Sequence, residues 1–364
     1  MIKTIFSSKD STLYQSSQSA NTGNDGILQL SKFVSSSFGD LAVTRPVVHF
    51  DTTTVSASLA ANGITTASSA GGLQWWLKLF ISEEKDTQTE YQVVIHPIRE
   101  SWTKGSGKST HLPLTSDGVS WQYRDGTVPA TQWTGVLGGR FFSGSAASES
   151  ITQAFNNVQG DIEVNVTDMV HAWHNNQVTN NGFILKRSGS QETDSTIYGD
   201  QFYYSRNTNT IYSPRLEARY DDASHTFTAT QGTKITVSHE VDIQPRLRPE
   251  YKQNSQERIW INTFIKGGAR SQAGSVGSTY RHHLPQSSSY AIIDNATGEY
   301  VYKHDKDATY VGRTGTTENY IDIDMNGLFP ERYYALEFKI NHYSGSNVIA
   351  TRYYKSNTLF KVVK

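Results

Sequence analysis

Asp168, His171 and His174 are spaced like a metal face, because residues three apart on a helix share one side. A closed metal site needs four ligands, and the neighbouring sequence names none to complete the set. Ordinary helix polarity is expected instead, with Asp168 and both histidines on the solvated side and Val170 and Trp173 turned inward. His282 and His283 precede Leu284-Pro285 and, as an exposed pair, could take a transition metal. No acidic or histidine partner stands beside them, so a plain loop is expected. His239 with Glu240 and Asp242 forms a third cluster, on an alternating strand that sends His239 and Glu240 to opposite faces. The segment Asn319 to Gly327, with Asp322, Asp324 and Asn326, has the alternating oxygen ligands of a calcium loop. Glu331 follows Gly327 too soon to be the distal ligand, and a strand entering a turn explains the same letters. No metal ligand is assigned.

Asp51, Glu83, Glu84, Glu100 and Asp117 could hide a carboxylate pair for glycoside hydrolysis, which needs two carboxyls about 5 to 9 Å apart, one with a raised pKa. No local motif picks out such a pair. KGSGKST (104–110) contains Gly107-Lys108-Ser109 but lacks the spacing of a phosphate loop, and no helix is expected after it. Neither a catalytic nor a cofactor-binding residue is assigned. Trp121 and Trp133 lie in polar loops, where an exposed indole can stack on a sugar or anchor a protein partner. Packing beneath a long loop is the competing reading. These two are the candidate contact residues.

The elements that must position such groups are strands. The chain has 364 residues, enough for two domains, and is rich in Ser, Thr, Asn, Gly and Tyr, with β-branched residues throughout. An all-β class is expected. Lys plus Arg (33) balance Asp plus Glu (34), and charged residues make up only 18%, so no electrostatic footprint for nucleic acid is visible. Cysteine is absent, which removes disulfides and thiolate chemistry. The opening MIKTIFSSKDSTLYQSS has no apolar core or cleavage pattern of a signal peptide, and no apolar run approaches the ~20 residues needed to span a bilayer. Cytoplasmic folding without membrane insertion is expected.

From Asp161 to Tyr220 the pattern is more specific. Ile162, Val164 and Val166 alternate as a strand; Met169, Val170 and Trp173 recur at helical spacing; Phe183, Leu185 and Leu216 resume the strand pattern. Thr167 is placed to cap the short helix, and HNNQVTNNG ends it. Together with RPVVHFDTTTV (45–55), LQWWLKLFI (73–81) and VVIHPIRESWTKGSG (93–107), this ordered set resembles the DNRLRE-domain family. That resemblance covers roughly residues 1–221 and implies a jelly-roll-like β-sandwich with one short helix, of a kind found in bacterial surface proteins and phage structural proteins. The polar ASLAANGITTASSAGG (57–72) reads as a surface connection, and residues 105–150, with eight glycines, as a long decorated loop region suited to binding.

The first domain is drawn as residues 1–222, ending near Tyr220 to Ser224, and TFTATQGTKITVSHEV begins fresh alternation. RIWINTFIKG, SSYAIIDNATGEYVYK, NYIDIDMNGL, RYYALEFKINHY and NTLFKVV predict a second, smaller, Ig-like β-sandwich over 225–364, with hairpin turns at Asn295–Gly298 and Met325–Gly327. HHLPQSSSYAIIDNATGEYV, IDMNGLFPERYYALEFKI and TLFKVVK in this order resemble the C-terminal module of virion proteins in contractile-tailed phages, as TIFSSKDSTLY resembles their opening. The resemblances imply a non-enzymatic virion structural protein of the neck, tail, baseplate or capsid surface. It would fold in the host cytoplasm and contact other virion proteins and copies of itself. The alternative is a carbohydrate-binding module recognising a host-surface glycan.

Overall fold

Strands dominate because apolar residues alternate over most of the chain, and each alternating run buries one face. The computed structural model describes residues 1–34, 41–66, 72–144, 146, 148–156, 160–223, 235, 237, 240–266, 282–314, 318–344 and 347–364. They form an all-β structure of curled, sandwich-like sheets. The chain divides into two units, Ile5–Ala218 and Met1–Thr4 with Arg219–Lys364. Within the second of these, Thr4 Oγ1 lies 3.0 Å from the Tyr302 hydroxyl and Lys3 Nζ 3.3 Å from Asp324 Oδ2.

In the first unit, Arg215–Arg219, Gln74–Leu79 and Ile162–Asn165 lie side by side in one sheet. Trp75, Leu77 and Leu79 point into the core, while Trp76 on the opposite face is half-buried. Lys78 is buried too, and this is tolerable because Glu163 and Glu217 each stand 3.3 Å from its ammonium. The larger sheet runs in the order Ile151–Asn156, Glu90–Pro97, Phe183–Arg187, Leu41–His49, Ile27–Val34, Gly199–Tyr204, Ile81–Lys85, with Lys9–Tyr14 paired to Leu41–His49.

Among the described residues, three α-helices interrupt the strands of this unit where one was expected. Helix Thr53–Ala61 runs from the end of RPVVHFDTTTV (45–55) into the start of the segment read as a surface connection (57–72); its Ala-rich sequence favours a helix and its Leu59 is buried. Gly189–Thr193 is capped by the Ser188 hydroxyl. The expected helix is present as Thr167–His174, but Thr167 does not cap it. Asn165 Oδ1 accepts from the Thr167 amide at 3.0 Å, and Thr167 Oγ1 instead accepts from the Trp75 amide at 2.8 Å.

In the second unit, Glu240–Pro245, Gln256–Lys266, Asn319–Asp324 and Gly312–Arg313 form one sheet. Glu250–Lys252, Asn347–Val363, Arg332–Ser344, Ser289–Asp294 and Tyr300–Tyr302 form the other. Ile259, Ile261, Ile321 and Ile323 share a core with Ile292, Leu336, Phe338, Ile340 and Phe360. Met325–Gly327, expected as a hairpin turn, is a single 3₁₀ turn capped by Asp324. TFTATQGTKITVSHEV, with His239, falls largely outside the described residues. No helix among those described is long and apolar enough to cross a membrane.

Candidate functional site

The region 105–150 has little regular structure, yet it is fastened at defined points. Asn21, fully buried, donates through Nδ2 to the carbonyls of Lys104 (2.7 Å) and Val119 (2.9 Å), and its Oδ1 accepts from the amides of Gly107 (2.8 Å) and Gly23 (3.2 Å). A Cβ on Gly107 would sit 2.1 Å from the Asn21 carbonyl oxygen, and one on Gly23 2.1 Å from that of Lys104. The glycines of KGSGKST therefore serve close backbone approach to Asn21. Arg45 adds a second clamp: it grips Glu192 through Nε (3.0 Å) and Nη2 (2.8 Å), donates to the Gly138 carbonyl (2.7 Å) and lies over the Trp121 ring.

This clamping overturns the surface role expected of the loop tryptophans. Trp121 is 5% exposed and Trp133 3%, and they share a core with Leu13, Val47, Ile98, Trp102, Val119 and Ile184. The Trp133 indole N–H is satisfied by the Ser120 carbonyl at 3.0 Å. Neither indole presents a face to a ligand. The hydrophobic side chains the region exposes are aliphatic: Leu112 (87%), Val128 (92%), Leu114, Val136 and Leu137 stand in solvent among polar neighbours.

Beside the clamp lies a cleft of about 390 Å³, near the small end of the range for ligand sites. Strands Lys9–Tyr14, Ile27–Val34 and Gly199–Tyr204 supply Tyr14, Gln29 and Phe202, and loops supply Asp25 and Lys108–Thr110. The positions are set by register and by hydrogen bonds. Phe202 pairs with Gln29 across the ladder, the Tyr14 hydroxyl donates to Gln29 Oε1 (3.0 Å), and both Asp25 carboxylate oxygens accept from the Ser109 amide (3.1 and 3.2 Å). Burial, reinforced by the Asp25 charge, pushes the Tyr14 phenol well above its usual range, so it stays protonated. An aromatic wall with a carboxylate, an amide and an ammonium can bind a polyhydroxylated ligand. It contains no nucleophile paired with a base. Sequence reasoning missed Tyr14, Asp25, Gln29 and Phe202, and set Lys108 aside with the phosphate-loop reading.

The other candidates are dispersed. His171 is buried and His174 half-buried, contrary to expectation; helix Thr53–Ala61 reaches His174, where Ser56 Oγ lies 3.2 Å from Nε2, and the His174 ring packs on Trp75. Asp168 is exposed. His282 and His283 are buried, with the His282 backbone tied to Thr263 and Asn319. Asp322 is held bidentate by Arg258 (2.8 and 2.7 Å), and Asp324 engages Lys3 and the Asn326 amide, so ion pairing replaces the calcium reading. Among the described residues no three His, Asp or Glu side chains converge as a metal site requires. Glu84 accepts from Tyr91, Asp117 from Ser106, Glu83 pairs with Lys85, and Glu100 with Arg140. Hydrogen bonds from Thr53 hold the Asp51 carboxyl low; for Glu100, burial is outweighed by Thr134 and Arg140, and it too ends low. A general acid needs the opposite shift. In the second unit Ser289 Oγ, His304 and Glu337 form a chain (3.1 and 3.2 Å), but Ser289 is buried in a strand and Glu337 is shared with the Tyr300 hydroxyl.

Two carboxyls have raised pKa values, Asp222 and Asp10, in both through burial. Asp10, 1% exposed, is pushed up to about 6 by burial, which outweighs the Arg206 amide and the Lys104 and Arg206 charges. Between 3.8 and about 6 the folded state holds the extra proton, so stability falls as pH rises through that window. His49, driven down to about 4 by burial and Lys9, loses stability in the acid direction over a similar range. Only a difference between variants therefore isolates Asp10. Asp10→Asn is expected to be more stable than wild type at pH 7, on the order of 1–2 kcal/mol, with the gap closing by pH 4 in urea titrations. A gap that persists at pH 4 refutes this assignment.

No family model matches the chain, and no curated protein matches it. Among solved structures, the chain is similar to the Ruminococcus gnavus beta-glucuronidase at 8% identity and a TM-score of 0.13, with 92% of this chain covered. The chain spans 46% of that enzyme's length, and a likeness this weak carries no argument.

Proposed function

We propose that the protein is a non-enzymatic structural component of a phage particle, at the neck, tail, baseplate or capsid surface, acting through protein interfaces. The ordered motifs over residues 1–221 and 282–364 suggest the class. The observation that carries the mechanism is the clamped region 105–150, which buries its tryptophans and exposes Leu112 and Val128 almost fully. Apolar tips on a rigid base favour docking, since little side-chain or loop order is lost on contact. The partners are other virion proteins and further copies of this chain. The test is mass spectrometry of density-purified particles after chemical cross-linking. Cross-links from Lys108, four residues before Leu112, to another particle protein are expected. Absence of the chain from such particles would sink the reading.

The cleft favours a second reading, recognition of a host-surface glycan, which is compatible with the first. A sugar ring would stack on Phe202 or Tyr14 and hydrogen-bond Asp25, Gln29 and Lys108. Glycan-array binding is expected to fall at least tenfold in Phe202→Ala, while Trp121→Phe, altered only in the core, keeps it. Equal binding by wild type and Phe202→Ala excludes the cleft.

A further inference from the structure

In the five-stranded sheet of the second unit, Glu337 and Lys339 alternate with the core residues Leu336, Phe338 and Ile340, so both stand on the outer face. Rings surround them. Tyr300 and Tyr353 are 44% and 57% exposed, and the His304 ring lies 6.4 Å from the first and 5.8 Å from the second, centroid to centroid. A surface tyrosine is ordinarily free to turn, but Tyr300 is fastened. Its hydroxyl donates to Glu337 Oε1 (2.8 Å), His304 Nε2 donates to the same oxygen (3.2 Å), and the Ser289 hydroxyl donates to His304 Nδ1 (3.1 Å). One placement of protons satisfies the whole chain, with His304 neutral and its hydrogen on Nε2. Burial holds the His304 pKa below its ordinary value against the pull of Glu337, and the bond to Glu337 raises that of Tyr300, so both keep these roles at neutral pH.

Two polar groups beside the rings are unspent. Both bonds to Glu337 fall on Oε1, and among the described residues Oε2 accepts none. Lys339, flanked by Ser289 on one neighbouring strand and Tyr353 on the other, holds its ammonium 6.0 Å from the centre of the Tyr353 ring. We propose that this face is a stacking platform for an extended oligosaccharide of neutral sugars, with sugar rings on Tyr300 and Tyr353 and hydroxyls bonded to Glu337 Oε2 and Lys339. A pyranose offers an apolar face to an aromatic ring and hydroxyls at its rim, and a hydroxyl both donates and accepts, so it serves carboxylate and ammonium alike. The two charges balance, which favours a neutral ligand. A proline-rich peptide also stacks on tyrosines, but proline has no N–H to give Glu337. Because the hydrogen-bond chain fixes Tyr300 beforehand, little order is lost there on contact. The platform does not depend on the first-unit cleft.

The test is saturation-transfer NMR on the full chain carrying Phe202→Ala, which silences the cleft, with cellohexaose, laminarihexaose and chitohexaose as probes. Saturable binding of at least one is expected. Tyr353→Ala should weaken it roughly tenfold with the unfolding midpoint unchanged, since that ring stands in solvent, while Tyr353→Phe keeps it. Glu337→Gln retains an acceptor for Tyr300 but puts an amide where Oε2 was, and should weaken binding by a smaller factor. Binding of none of the three sugars by the folded protein overturns the proposal, as does binding that Tyr353→Ala and Tyr300→Ala leave intact. Preference for a decaproline peptide over all three sugars overturns it in favour of a peptide partner.

Discussion

Asn21→Ala is expected to cost the first unit roughly 4 to 6 kcal/mol. The substitution strands two carbonyls, of Lys104 and Val119, and two amides, of Gly107 and Gly23, in a site without exposure. Each buried group left unpaired costs about 1–3 kcal/mol, and the four are coupled. The midpoint should fall by roughly 10 °C or more, and limited proteolysis should open new cuts within 105–150. Asn21→Asp separates hydrogen-bond polarity from shape. It keeps the acceptor for Gly107 and Gly23 but turns a second oxygen toward the Lys104 and Val119 carbonyls, so it should be at least as damaging as alanine. A Tm loss under 3 °C in both variants would show that the clamp does not hold this region.

Asp294→Ala is expected to have the largest effect in the second unit. Asp294 is fully buried, receives Arg332 through Nε and Nη2, and accepts the turn amides of Ala296 (2.8 Å) and Thr297 (3.1 Å). Removing one member of such a pair costs about 3–5 kcal/mol. Burial alone would raise the carboxyl pKa, but Arg332 and the two amides overcome it and the net shift is downward. The stability Asp294 adds is therefore complete above the unfolded value near 3.8 and is lost as pH falls through the lower folded value. Hydrogen exchange should show lost protection in Ser289–Asp294 and Arg332–Ser344 at pH 7. The wild-type advantage should shrink below pH 4. Unchanged exchange in both strands would contradict the assignment.

Strand positions were legible wherever one face alternates. Ile259 to Thr263, Ile321 to Ile323 and Tyr334 to His342 announce both the strand and its inward face, and Trp75 and Trp76 divide between faces as their spacing requires. Helix Thr53–Ala61 was hidden because only Leu59 of it is buried, so it has no apolar stripe to read. The half-burial of His174 was hidden for a related reason: Ser56, which lies against its ring, comes from that same helix, more than 100 residues earlier in the chain. Trp121 and Trp133 lie among polar neighbours, and local sequence cannot show that Leu13, Val47 and Ile184 close over them. The cleft is harder still, because Tyr14, Asp25, Lys108 and Phe202 meet only through strand pairing and the reach of Asn21. What sequence did offer was the Gly-Lys-Ser run, whose glycines answer to a backbone contact rather than to a ligand.

The Asn21 clamp also separates the parts of region 105–150 that can change from those that cannot. Lys104, Gly107 and Val119 are pinned, whereas nothing in the clamp touches Leu112 or Val128 at the tips. Lengthening a tip costs only the slow logarithmic loss of loop closure, about 0.6 kcal/mol per doubling. Insertions after His111 or Gly126 should therefore be accepted where changes at Gly107 are not, and a lineage could replace the residues it presents to a partner while leaving the sandwich beneath untouched. In the first unit the exposed tips at Leu112 and Val128 thus stand apart from the backbone that Asn21 pins.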